Sequence, residues 1–139
     1  MTKDRGKSRF PCAVDAGAVG SYPALTKSGG GYFFDDVLEY RVWVHPERGG
    51  PDLHDGEDYF HAFAFYEAAL EFSRATPGAE EPLVLVRQLE HINEPEPGRF
   101  EHVRGERLTE WCVEWLDDSR REPDSIPQFL RARANGLKA

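Results

Sequence analysis

The chain has little cysteine. Its 139 residues contain only two thiols, Cys12 and Cys112. Structural thiolate metal sites need clustered cysteines, commonly as C-x-x-C pairs, so the sequence excludes a site of that kind. A chain of this length also needs no disulfide to form a stable core. We therefore expect two reduced thiols in a cytoplasmic protein.

Long apolar runs are missing as well. No segment approaches the roughly 18–20 apolar residues of a membrane-spanning helix. No charged start leads into the short apolar stretch of a secretory signal. The sequence therefore predicts a protein that neither crosses a membrane nor is exported by that route.

Positive charge is scarce and confined to the ends of the chain. Lys and Arg number 17 against 25 Asp and Glu, which gives a net charge of -8. Residues 1–10 and the residues from 120 onward each carry +3, so the middle of the chain carries -14. Because phosphate neutralisation by basic residues dominates nucleic-acid affinity, this acidic body argues against a nucleic-acid partner.

The first part of the chain looks irregular. Residues 1–31 contain two prolines and the run Gly29–Gly31, with no sustained hydrophobic period. We expect an irregular or extended arm there, with the first ten or so residues disordered. The length then leaves room for one α+β domain over residues 32–135.

The rest of the chain alternates short strand patterns with two helical ones. Segments 37–45, 59–64 and 82–92 are rich in β-branched and aromatic residues, which favours strands. In residues 66–75 the apolar side chains have helical spacing, and Pro77-Gly78 ends this predicted helix. A second helix is predicted over 125–134, where Asp124 or Ser125 is the capping residue. Residues 99–104 and 107–116 are two further strand candidates, and a helix stays an alternative for 107–116. This order, ββαβββα, predicts an α+β fold with a mostly antiparallel sheet of four to five strands and two short helices.

The first strand has one apolar and one polar side. Its alternation predicts a core face of Leu38, Tyr40, Val42 and Val44 and an opposite face of Glu39, Arg41, Trp43 and His45. The last strand candidate offers Glu110, Cys112 and Glu114 to the same polar face. Such a face lines a ligand cleft, forms a subunit interface, or is the wet side of an antiparallel sheet. Arg41, Trp43 and His45 are thus candidate ligand-binding residues.

A second candidate site lies within residues 45–61. His45, His54 and His61 lie in or beside a segment with four carboxylates at positions 52–58. Imidazoles with carboxylates bind divalent metals or perform acid–base chemistry, although the spacing matches no established motif. We count the three histidines as candidate ligand-binding residues, and the histidines with Glu57 as candidate metal ligands.

Four strings carry a family resemblance: VLEYRVWVHPE (37–47), YEAALEFSRATPGAEEPLVLV (66–86), EPEPG (94–98) and LTEWCVEWL (108–116). Together they resemble a group of short bacterial proteins that are often named GNAT-type acetyltransferases. The resemblance implies acetyl-coenzyme A (acetyl-CoA) as donor and an amine as acceptor. The family's R/Q-x-x-G-x-G/A string does not occur here, so no catalytic residue is carried over from it.

Three functional hypotheses follow from the sequence. The first is a small cytoplasmic homodimer that binds a small molecule or a partner on the polar face or at residues 45–61. The second is the acetyl-CoA-dependent N-acyltransferase that the resemblance implies. The third is a metal-dependent enzyme that uses the histidine and carboxylate cluster.

Overall fold

A computed structural model describes residues 10–22, 33–117 and 119–136 of the chain. Its regular elements are four strands and two helices: β1 (Asp36–Val44), β2 (Tyr59–Phe63), α1 (Tyr66–Ala75), β3 (Leu83–Glu96), β4 (Arg99–Cys112) and α2 (Ser125–Gly136). All strand pairs are antiparallel. The predicted α+β class with an antiparallel sheet is therefore confirmed, in the order ββαββα.

The sheet consists of two hairpins joined side by side. The strand order is β2-β1-β3-β4, so β1 pairs with β2 on one side and with β3 on the other. The second hairpin is long, because β3 and β4 pair from Leu83 and Cys112 as far as Glu96 and Arg99. The Pro97-Gly98 turn closes it, and Gly98 occupies the left-handed region with φ of 84°.

The structure does not confirm a fifth strand among the described residues. The two candidates at 99–104 and 107–116 form one continuous strand, β4, and residues 113–116 are a short 3₁₀ helix. The register of β4 shifts opposite Gln88 and Glu90, close to Gly105. This irregularity breaks the alternation that a single strand would show, because an extra residue in one strand moves the following side chains to the other face.

A bulge also changes the predicted core face of β1. The register shifts between Val37 and Glu39, so Val37 belongs to the core cluster with Tyr40 and Val42. Leu38 is buried too, but it lies outside that cluster. The prediction that Leu38 shares the face of Tyr40 and Val42 is therefore wrong by one residue.

The core lies between the sheet, α1 and the N-terminal segment. Tyr66 and Phe72 of α1 pack against a cluster of buried side chains: Phe10, Phe34, Val37, Tyr40, Val42, Ala69, Val84, Val86, Trp111, Val113 and Leu116. Phe10 is only 2% exposed, so this end of the predicted arm packs on the domain. The predicted disorder of the first ten or so residues falls almost entirely outside the described residues.

Helix α2 packs near the far end of the hairpin. Its Ile126 is buried, and the ring of Phe129 contacts the rings of Phe33 and Phe100 with edge-to-face geometry. In the described part of the chain, no helix is long and apolar enough to span a bilayer.

Candidate functional site

His45 follows the last residue of β1, and hydrogen bonds of its backbone fix its position. Its N–H donates to Gly78 O at 2.9 Å, while its carbonyl accepts from Arg48 N at 3.0 Å and Gly50 N at 3.1 Å. A 3₁₀ turn at Pro46–Arg48 follows directly. The proline fixes the turn and leaves no amide of its own to satisfy. The residue is 8% exposed, which makes it one of the few buried polar side chains.

Two glycines allow this close packing. A Cβ on Gly78 would lie 2.4 Å from Gly50 N and 2.6 Å from His45 O, and Gly78 has φ of 76°. A Cβ on Gly50 would lie 2.5 Å from a methyl carbon of Val44. The loop after α1 thus touches the loop after β1 backbone to backbone, and this contact positions His45.

The imidazole of His45 lies between two carboxylates. Nε2 contacts Glu80 Oε2 in a short hydrogen bond, and Nδ1 lies 2.9 Å from Asp58 Oδ1. The two contacts differ in quality, because Nδ1 is a buried atom that has no acceptor in hydrogen-bonding geometry among the described residues. The Asp58 contact is therefore an ion-pair distance without a well-formed hydrogen bond.

These contacts favour the charged form of the ring. The hydrogen bond to Glu80 raises the pKa of His45 above its usual value of 6.5, and Asp58 raises it further. Burial acts in the opposite direction and lowers the pKa, with a smaller effect. The net effect is therefore a raised pKa, with the Glu80 hydrogen bond as its main cause.

Glu47 completes a three-residue cluster with His45 and Asp58. One ligand atom from each of the three residues lies within 4.8 Å of the others. Glu47 and Asp58 are exposed, whereas His45 is buried. One imidazole nitrogen and two carboxylates form a donor set that suits divalent first-row metals such as Zn²⁺ and Mn²⁺.

The other predicted metal ligands do not join this cluster. The ring of His54 meets that of Tyr59 edge to face, at 5.1 Å between centroids, and His61 packs against Phe72 at 4.6 Å. His61 pairs with Val42, three positions before His45 along β1. Within the described residues, the three-residue cluster around His45 contains neither of these histidines nor Glu57.

The predicted polar face exists, but its centre is buried. Arg41 Nε donates to Glu39 Oε2 at 2.6 Å, and Arg41 Nη1 donates to Glu110 Oε2 at 2.9 Å. Glu39 and Arg41 are 0% exposed and Glu110 is 2% exposed. The guanidinium also lies over the ring of Phe60 at 4.3 Å. The face is therefore not a wet surface at these residues, and Arg41 is held inside the protein by ion pairs.

Trp43 extends this network towards the surface. Its indole N–H donates to Glu110 Oε2 at 3.1 Å, and its ring packs against Phe60 at 4.9 Å. Cys112 is partly buried, and Glu114 is exposed on the 3₁₀ helix rather than on the sheet face.

The described cavities lie away from this polar face. One of them, of about 500 Å³, is lined by Phe33, Phe34, Arg120 and their neighbours.

Sequence reasoning did not single out three residues of the site: Glu47, Asp58 and Glu80. Asp58 belonged to the acidic run, and the hairpin register that places Val44 opposite Tyr59 brings Asp58 beside His45. Glu80 gave no signal, because only the contact between two loops brings it to the ring, and Glu47 lies outside the acidic run at 52–58. No family model, curated protein or solved structure matches this chain. The acetyltransferase resemblance, acetyl-CoA and the homodimer therefore stay predictions.

Proposed function

We propose that this protein binds one divalent transition-metal ion, Zn²⁺ or Mn²⁺, through His45 Nδ1 and the carboxylates of Glu47 and Asp58. The observation that supports the proposal best is the buried Nδ1 of His45, which lies 2.9 Å from Asp58 Oδ1 without hydrogen-bond geometry among the described residues, in a cluster that also contains Glu47. A buried polar atom without a partner is costly unless something satisfies it. A cation would satisfy this nitrogen and both carboxylates together.

The size of the cluster is compatible with an ion. In a tetrahedral site, two ligands at about 2.1 Å from the metal lie about 3.4 Å apart. The ligand atoms here lie within 4.8 Å of one another, so no pair has to approach by more than about 1.5 Å. Glu47 and Asp58 are exposed and free to rotate by that amount, while the buried ring provides the fixed point.

The number of ligands indicates what the ion would do. Structural zinc sites use four protein ligands, whereas catalytic sites use three and leave a position for water or substrate. Three ligands at the surface therefore support a reactive metal centre. The bound ion would activate a water molecule or polarise a substrate oxygen.

Metal titration of the purified, metal-free protein tests the proposal. We expect one Zn²⁺ or Mn²⁺ per chain by isothermal titration calorimetry. Ion at 100 times its dissociation constant should stabilise the fold by roughly 2.7 kcal/mol. Glu47→Gln and Asp58→Asn should each weaken binding at least about tenfold, because each removes one anionic ligand.

Glu57→Gln is the matched control. It makes the same charge change one residue from Asp58, but Glu57 lies outside the cluster. We expect its metal affinity to stay close to that of the wild type. Absence of stoichiometric binding, or an equal loss in Glu57→Gln and Asp58→Asn, would overturn the proposal.

A further inference from the structure

The second ring nitrogen of His45, Nε2, also contacts a carboxylate, one that Arg48 approaches at 3.9 Å. Nε2 contacts Glu80 Oε2, and an ionised carboxylate only accepts hydrogen bonds. Nε2 must therefore carry a proton wherever this contact is made. Nδ1 lies 2.9 Å from Asp58 Oδ1, but within the described chain this contact lacks hydrogen-bond geometry.

We infer that Glu80 is a positioning residue that keeps the proton of neutral His45 on Nε2, so that Nδ1 presents a lone pair to Glu47 and Asp58. A neutral imidazole has one proton, and it resides on the nitrogen with the better acceptor. Metal-binding histidines commonly donate their other N–H to a carboxylate, which orients the ring and raises its basicity. The consequence for metal affinity rests on the proposed function, whereas the position of the proton does not.

The fold holds Glu80 in place for this role. Its N–H donates to Trp43 O at 2.8 Å, and its carbonyl accepts from Ser73 Oγ at 2.7 Å. Val44 also forms an isolated bridge with Ala79, the residue before Glu80. Glu80 is thus anchored on both sides to β1 and α1, and its carboxylate reaches the ring from a fixed backbone position.

Glu81 provides a matched control. It is the next residue, it is exposed and acidic, and its side chain has no contact with His45 among the described residues. Glu80→Ala and Glu81→Ala make the same change of charge and size one position apart. Glu80→Gln keeps an oxygen that accepts from Nε2, so it should preserve most of the effect.

Nitrogen-15 NMR of the metal-free protein, with the ring in its neutral form, tests where the proton lies. We expect a protonated Nε2 and an unprotonated Nδ1 in the wild type and in Glu81→Ala. Glu80→Ala should shift the proton partly or wholly to Nδ1, beside Asp58. A wild-type ring with its proton on Nδ1 would overturn the inference, and this readout needs no variant.

Metal titration of the same variants gives the second readout. We expect Glu80→Ala to weaken Zn²⁺ or Mn²⁺ binding by about 10–100-fold, with Glu80→Gln and Glu81→Ala near the wild type. Equal affinity and an equal proton position in Glu80→Ala and wild type would refute the role of Glu80. If the wild type binds no metal but keeps its proton on Nε2, the proposed function fails and the inference about Glu80 stands.

Discussion

The close contact between Gly78 and Gly50 lets us predict how much a substitution at Gly78 lowers the free energy of unfolding. An alanine Cβ at position 78 would lie 2.4 Å from Gly50 N, 2.6 Å from His45 O and 2.8 Å from Gly50 Cα. All three neighbours are backbone atoms, which move only if the two loops separate. The residue also has φ of 76°, where an L side chain costs roughly 1–2 kcal/mol. Overpacking adds about 1–3 kcal/mol, so Gly78→Ala should destabilise the fold by about 2–5 kcal/mol.

Gly98→Ala separates the two contributions. Gly98 has φ of 84°, but a Cβ there would meet nothing within 4 Å. We expect it to cost only the backbone term of about 1–2 kcal/mol. Urea unfolding, with the slope compared as well as the midpoint, measures both variants. The same pair should differ in metal affinity, because only Gly78→Ala displaces His45. Equal losses of stability in the two variants would refute the close-packing argument.

Three other predictions concern the rest of the fold. Arg41→Met leaves two buried glutamates without their cation, so it should lower the unfolding free energy by about 3–5 kcal/mol. The control Arg99→Met removes a surface ion pair and should cost at most about 1 kcal/mol. Similar unfolding midpoints for the two variants would contradict this. The hydrogen bond from His102 lowers the pKa of Glu90 below 4.5, so ionised Glu90 contributes stability above that pH and loses it as the pH falls through its folded pKa. Glu90→Gln should therefore flatten the stability curve in acid, and an unchanged curve would show that the pair contributes nothing. The hydroxyl of Tyr40 donates to a backbone carbonyl of the N-terminal segment, so Tyr40→Phe should lower the unfolding free energy by about 0.5–1.5 kcal/mol, and unaltered stability would contradict that role.

Much of the architecture could be predicted from hydrophobic patterns. Helix α1 occupies the predicted residues, and β1 and β2 differ from their predicted ranges by one residue at the ends. The hydrophobic pattern did not predict the irregularities that depend on strand pairing. The bulge at Leu38 and the register shift beside Gly105 follow from how neighbouring strands align, which no single strand encodes.

The candidate site was predictable only in part. His45 stood out because it ends a clear strand beside an acidic loop. His54 and His61 also lie in or beside the acidic segment, yet their side chains pack against aromatic rings instead. Glu80 lies 35 residues from His45, and only the contact between two loops brings it to the ring. The burial of Arg41 was not predicted, because strand alternation shows which side of the sheet a residue occupies but not what covers it.

The division of the sheet into two hairpins has a consequence for how the chain folds. Within each hairpin the pairing closes a shorter loop, while β1 and β3 join residues as far apart as Asp36 and Arg87. Long-range pairing of this kind raises the contact order and slows folding, since more chain entropy is lost before any contact forms. We therefore expect the docking of the preformed hairpins along β1 and β3 to be the rate-limiting event. The loops that carry His45 and Glu80 meet at this seam, so the metal site would form late in folding, after the strands have joined.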